Sequence, residues 1–198
     1  MIATLKKYTE DCVEEAFLEA KLQQRPLLID FWSQGCKGCK KMELVTYQDA
    51  EVQRYLQEHY VLVKYEAAKV DKAFSDDYLS LALAWSPSFY VYAPDGTIVR
   101  QAVGYLSPGQ FIAELSLGKA QWLLRKGQPA AAEELLLRIS EESAYDVFKQ
   151  EALYLAGVAA FFKERRDVSA VGPNWEVLLA KYPSSRWAER ANVLDIKL

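Results

Sequence analysis

The stretch "LLIDFWSQGCKGCKKM", residues 27–42, decides how the first half of this chain folds. Its opening six residues, Leu27 to Trp32, form a nearly unbroken apolar run with one acid inside it. Such a run predicts a strand buried on both faces, as parallel strands are. Pro26 stops the helical register that precedes it. The two cysteines then follow at C-x-x-C spacing, Cys36 and Cys39, in front of a basic segment that suits a helix. Three readings compete for the pair: a redox dithiol, half of a metal site, or two small buried residues.

Spacing gives the two thiols different opportunities. A cysteine at a helix N-terminus has its thiolate stabilised by unpaired backbone N–H groups and the helix dipole. Cys36 is placed for this if the helix begins within the motif, and Lys37, Lys40 and Lys41 add positive potential. Cys39, one turn further in, is placed to attack a mixed disulfide formed at Cys36, which releases the substrate and leaves a Cys36–Cys39 bridge. A zinc site needs four ligands, usually two close pairs. The remaining candidates are Cys12 and His59, neither paired in sequence, so the metal reading is thin while an inert pair stays open. Cys12 itself reads as a small hydrophobe on the apolar face of a helix, and His59 as a surface or capping residue.

Working outward, Val13, Ala16, Phe17 and Ala20 recur at helical spacing within Thr9–Lys21. After the cysteines, residues 40–47 suit a helix and Asp49 opens another. "YVLVKY", residues 60–65, alternates as a strand, and "AAKVDKAFSDDYLSLALAW", residues 67–85, has helical apolar spacing. "SFYVYA" and "TIVRQAV" flank Pro94-Asp95-Gly96, so they predict a hairpin: Pro presets φ and Gly accepts a positive one. Ser107 and Pro108 then start a helix as N-cap and first helical residue. The order of elements predicts an α/β domain over residues 1–117, a central mixed sheet with a parallel part and an antiparallel edge.

From Gly118 the strand signals stop. "GKAQWLLRKGQPAAAEELLLRI", residues 118–139, and "YLAGVAAFFKERRDVSAVGPNWEVLLAKYP", residues 154–183, share one pattern of apolar helix, polar turn and Leu-Leu helix, with "AVGPN" inserted in the second. They predict an all-α domain over residues 118–198, built of helical hairpins in the manner of a tetratricopeptide-like array. A partner or the first domain should cover it, since two repeats are few for a free-standing solenoid.

The 198 residues carry a formal net charge of −3 with basic and acidic positions intermixed, which leaves no stripe for nucleic acid or anionic lipid. Three cysteines are too few for a secreted disulfide scaffold. The N-terminus lacks the apolar core of a signal peptide, so a cytoplasmic location is expected, or a periplasmic one if a leader has been removed.

These residues resemble the thioredoxin-like superfamily. "LLIDFW" followed by C-x-x-C is similar to the strand and active-site turn of thioredoxin, and "WSPSFYVYAPDGTIVRQAVGYLSPGQF" to its proline-containing loop, hairpin and final helix. "CKKMELVTYQDAEVQRYL" is similar to the extension after the cysteines in the C-terminal thioredoxin-like domain of the thiol:disulfide interchange protein DsbD. The resemblance spans roughly residues 8–117 and does not reach the tail. It implies a thioredoxin-like fold with catalytic Cys36 and Cys39. Asp30 is then the buried acid that takes the proton of Cys39, and Lys64 the lysine near it. Pro87 matches the family's cis-proline, with Ser86, Trp32 and Gly104 as further substrate-binding positions. Lys37-Gly38 departs from the Gly-Pro of thioredoxin, Gly35 from its tryptophan, and Ser88 from its threonine.

The expectation is a thiol-disulfide oxidoreductase, a protein disulfide reductase in a reducing cytosol, that needs no cofactor beyond the Cys36–Cys39 disulfide. Its partners would be protein thiols or disulfides and a redox partner, with a further protein at the helical region. The competing reading is an adaptor of thioredoxin fold whose cysteines are not catalytic.

Overall fold

The structure, a computed structural model, describes residues 5–79 and 83–193. The chain divides into two compact units, Met1–Leu115 and Ser116–Leu198. Five strands make one sheet in the first unit: β1 (Lys7–Thr9), β2 (Leu27–Trp32), β3 (Val61–Glu66), β4 (Ser88–Tyr92) and β5 (Ile98–Val103). Their order is β1-β3-β2-β4-β5, with β1, β3 and β2 parallel and the β4–β5 hairpin antiparallel on the other side of β2. This is the thioredoxin-like sheet expected from the sequence, followed by a helical C-terminal region.

Burial on both faces explains the composition of β2. Leu27, Ile29 and Phe31 face one core with Val61, Val63 and Tyr65, closed by Val13, Ala16, Phe17 and Ala20 of α1 (Val13–Gln23). Leu28 faces the other with Leu62, Phe89 and Val91, closed by Met42 of α2 (Lys37–Leu44), Leu56 of α3 (Ala50–His59) and Phe111 of α5 (Pro108–Arg125). Because side chains alternate along a strand, Asp30 shares the face of Leu28. The parallel register sets Lys64 directly opposite it.

Several local expectations shift. β1 was not foreseen; three residues hold no readable alternation, and it forms because the open edge of β3 supplies a ladder. The first helix starts at Val13 rather than Thr9, after a 3-10 turn over Glu10–Cys12 that leaves Cys12 half-buried. The helix expected from residue 40 begins earlier, at Lys37, and ends at Leu44, before a 3-10 turn over Thr46–Gln48. Asp49 caps α3 as expected, its Oδ1 accepting from Glu51 and Val52 N–H at 2.9 and 3.1 Å. β3 does not alternate in burial, because β1 and β2 flank it and both its faces are covered. In the segment 67–85 the described helix, α4 (Lys72–Tyr78), is short and capped by Asp71; residues 80–82 of that expectation lie outside the described residues. Gly96 takes a φ of +85° in the hairpin turn, the conformation its place in Pro-Asp-Gly predicts.

The second unit is helical. The dividing point falls inside α5, which is followed by α6 (Pro129–Glu142), α7 (Asp146–Lys163), α8 (Gly172–Lys181) and α9 (Arg186–Ala191). α6 packs on α7, and α7 on α8 and α9. Tyr154 of α7 stacks on Trp175 of α8 with ring centroids 5.1 Å apart, and Trp175 Nε1 donates to the Tyr154 carbonyl at 3.0 Å. Gly157 makes this approach possible: a Cβ there would overlap the Trp175 indole. Among the described residues, no helix is long and apolar enough to cross a membrane.

Candidate active site

Cys36 is the N-cap of α2 and is bridged to Cys39. The Cys39 backbone N–H donates to Cys36 Sγ at 3.0 Å, so the sulfur sits on the unpaired donors of the first turn. Gly35, at a φ of +75°, makes the tight turn from the end of β2 into this cap. Met42, fully buried, anchors the other end of the turn and holds α2 on the sheet. The two sulfurs differ in access: Cys36 is half-buried, whereas Cys39 is only 7% exposed.

On one side of the disulfide lies a groove of about 680 Å³, lined by Cys36, Trp85, Ser86, Pro87, Gly104 and Tyr105 among others. The Ser86–Pro87 peptide bond is cis. Gly104 N–H donates to the Pro87 carbonyl at 2.8 Å and adopts a φ of +93° to do so, which ties the end of β5 to the proline loop. The Ser33 and Ser86 hydroxyls bond to each other across the groove floor. Gly38 faces the proline ring so closely that a Cβ would stand 2.9 Å from Pro87 Cδ, so the second residue between the cysteines is held to glycine by contact. Of the expected substrate-binding residues, Ser86, Pro87 and Gly104 come together here. Trp32 does not join them. It lines a second cleft of about 640 Å³ beyond the disulfide, together with Lys7, Cys39, Glu43 and Lys64.

Asp30 of β2 is 1% exposed and accepts two hydrogen bonds on the same oxygen. Lys64 Nζ reaches Oδ2 at 2.5 Å and the Tyr47 hydroxyl reaches it at 2.6 Å. Oδ1 has no hydrogen-bond partner among the described residues. Lys64 is itself shared, with Glu43 Oε1 at 2.6 Å, and its ammonium lies 4.5 Å from the Tyr47 ring centre. As β1 flanks β3, Lys64 is not an edge lysine that merely keeps a strand soluble. Burial, reinforced by the Asp30 charge, pushes the Tyr47 phenol well above its ordinary range, so it stays a donor. Burial works against ionisation of Glu43, but the Lys64 hydrogen bond and charge, with Lys7 behind them, outweigh it and hold that carboxyl below the ordinary range.

The thioredoxin-like domain family matches residues 13–119, more than half of the chain. The chain belongs to this family. Over 96 residues the chain is 32% identical to thiol:disulfide interchange protein DsbD of Ralstonia nicotianae, covering 48% of this chain and 14% of that protein. Among solved structures, the oxidised C-terminal domain of DsbD from Neisseria meningitidis is 18% identical at a TM-score of 0.44, covering 54% of this chain and 94% of that one. A thioredoxin from Thermus thermophilus is 22% identical at a TM-score of 0.47, covering 57% of this chain and 85% of that one.

In this thioredoxin-like site, sequence reasoning missed Tyr47, Glu43, Ser33 and the groove aromatics. Tyr47 sits 17 residues from Asp30, and nothing local marks a tyrosine whose hydroxyl will meet that acid. Glu43 had a readable signal, since four residues after Cys39 it lies one helical turn along α2. Trp85 also reads as core from its apolar neighbours, yet it is 70% exposed at the groove.

Proposed function

We propose that this protein is a thiol-disulfide oxidoreductase acting as a protein disulfide reductase through the Cys36–Cys39 dithiol. The unequal access of the two sulfurs carries the reading. The half-buried Cys36, on the N-terminus of α2, attacks a substrate disulfide; the buried Cys39 resolves the mixed disulfide. Asp30 serves as the base for Cys39, and Lys64 holds the acid in place. An extended substrate segment lies in the groove against Ser86, Pro87 and Gly104. Trp32, on the other side of the disulfide, is left to the second cleft.

Two electrons are stored in the dithiol itself, so no further cofactor is required. In a compartment whose glutathione pool keeps thiols reduced, the dithiol runs as a reductase. The helical region, read as a short tetratricopeptide-like domain, docks a protein partner or substrate. The test is mixed-disulfide trapping in cell extracts alongside disulfide reduction in vitro. Cys39→Ser should accumulate covalent adducts that thiol reductant releases, and Cys36→Ser should accumulate none. A Cys36/Cys39 double serine variant that keeps full biological activity would hand the function to an adaptor instead.

A further inference from the structure

The geometry points to Tyr47 as a positioning residue that, together with Lys64, occupies Asp30 Oδ2 and so leaves Oδ1 as the oxygen that receives the Cys39 proton. The inference rests on the oxidoreductase reading and adds to it which atom does the work. Asp30 has two oxygens in one buried place, and the structure treats them unequally. Oδ2 takes both donors, from Tyr47 at 2.6 Å and Lys64 at 2.5 Å, while Oδ1 is buried with no hydrogen-bond partner among the described residues. A buried carboxylate oxygen left without donors is the costly one, and therefore the one that gains most from taking a proton.

Tyr47 is built to hold this orientation. It is 2% exposed, its ring is packed edge-on against Phe111 with centroids 5.5 Å apart, and the Thr46–Gln48 turn fixes its backbone. Lys64 alone would fix the acid less firmly, because its ammonium is shared with Glu43 at 2.6 Å. Lys64 and Glu43 line the same cleft as Cys36 and Cys39, so the ammonium that holds Asp30 Oδ2 is itself at the cleft of the dithiol.

The step balances as follows. The Cys39 S–H bond breaks and an O–H bond forms on Asp30 Oδ1. The Cys39 thiolate then attacks Cys36 Sγ; the new Sγ–Sγ bond forms as the bond from Cys36 to the substrate sulfur breaks. The electron pair leaves on the substrate, which is reduced, while the Cys36–Cys39 pair is oxidised.

The test compares the full-length wild type with Tyr47→Phe, which keeps the ring and removes the hydroxyl. Two quantities are measured: the pH titration of the Asp30 carboxyl carbon by NMR in the oxidised protein, and the pH–rate profile for resolution of a mixed disulfide preformed at Cys36. Losing one hydrogen bond to the charged carboxylate should move both midpoints to higher pH together, by about one unit or tenfold in proton affinity. The first attack by Cys36 at high pH should be unchanged. Lys64→Met, which removes the other donor, should move them in the same direction, and the double variant should be non-additive because the two donors share one oxygen. Superimposable profiles, or equal slowing of both chemical steps with no displacement along pH, would overturn the assignment of Tyr47. A wild type whose dithiol exchanges with no disulfide overturns the oxidoreductase reading and with it the transfer from Cys39. An unshifted titration in a protein that does exchange overturns the Tyr47 role alone.

Discussion

The two units bury different kinds of chemistry. In the sheet unit a carboxylate, an ammonium and a phenol meet inside an apolar face, with Asp30, Lys64 and Tyr47 drawn from three separate elements. The helical unit packs Leu153, Leu178, Trp187, Ala188 and Ala191, and its polar contact at that core is an indole N–H given to a backbone carbonyl. A buried ion pair is weak support for stability, since desolvation offsets much of its attraction. A core of leucine, alanine and tryptophan is accounted for by packing. The difference teaches that the polar cluster of the sheet unit is best explained by chemistry and the aromatic cluster of the helical unit by close packing.

Four substitutions probe that contrast. The largest effect is expected from Trp187→Ala, which empties a site 7% exposed where α9 packs on Tyr154 of α7. It should lower stability by about 3–5 kcal/mol in a denaturant titration. Disulfide exchange, assayed below the transition, should hold; a matching loss of exchange would break the division of labour between the units. Asp30→Asn comes next. Removing the base should slow resolution by about 100-fold, roughly 2.7 kcal/mol of barrier, in rapid-mixing kinetics with the fold retained. If instead Asp30→Asn leaves resolution intact, the polar cluster has no chemical role.

Gly157→Ala tests the packing side. Its new methyl would have to displace the Trp175 indole, and about 1–3 kcal/mol of stability should be lost even though alanine is the better helix former. Thermal melts that show a gain would mean α7 and α8 do not approach as described.

The smallest effect concerns acid. The Glu43 carboxyl is held below its ordinary value of 4.5 in the folded protein, so its stabilising contribution is complete above that value and is lost as pH falls through the lower, folded one. Glu43→Gln should therefore lower stability slightly at neutral pH, leave it unchanged below the folded value, and so flatten the acid limb; the neutral-pH loss is small because Lys64 keeps Asp30 as a partner. An acid limb that stays as steep in Glu43→Gln would show that other carboxylates set it.

Much of this was legible before any coordinates. The run Leu27–Trp32, the Pro94-Asp95-Gly96 turn and the Asp49 cap each announce themselves through signals within a few residues, and each forms where it was expected. The helix-compatible segment was read from residue 40, three residues late, because Gly38 is a poor helix residue, and Cys36 at the helix start was left conditional on a start within the motif. β1 could not be read, for its three residues become a strand only against the edge of β3. The groove was half-read: Ser86, Pro87 and Gly104 converge, while the exposure of Trp85 and the removal of Trp32 to the second cleft were not visible.

By itself the sequence determined the order of the elements after β1, the C-x-x-C pair at a helix start, and an acid inside an apolar strand, since these depend on side chains within one or two turns of each other. The family resemblance already set Lys64 near Asp30; only the tertiary structure decided that Tyr47 meets the same acid across 17 residues and that both donors fall on one oxygen. The physical reason is that periodicity orders neighbours along the chain. Strand register and packing order groups across it, and a buried charge takes its partners from whatever that packing delivers.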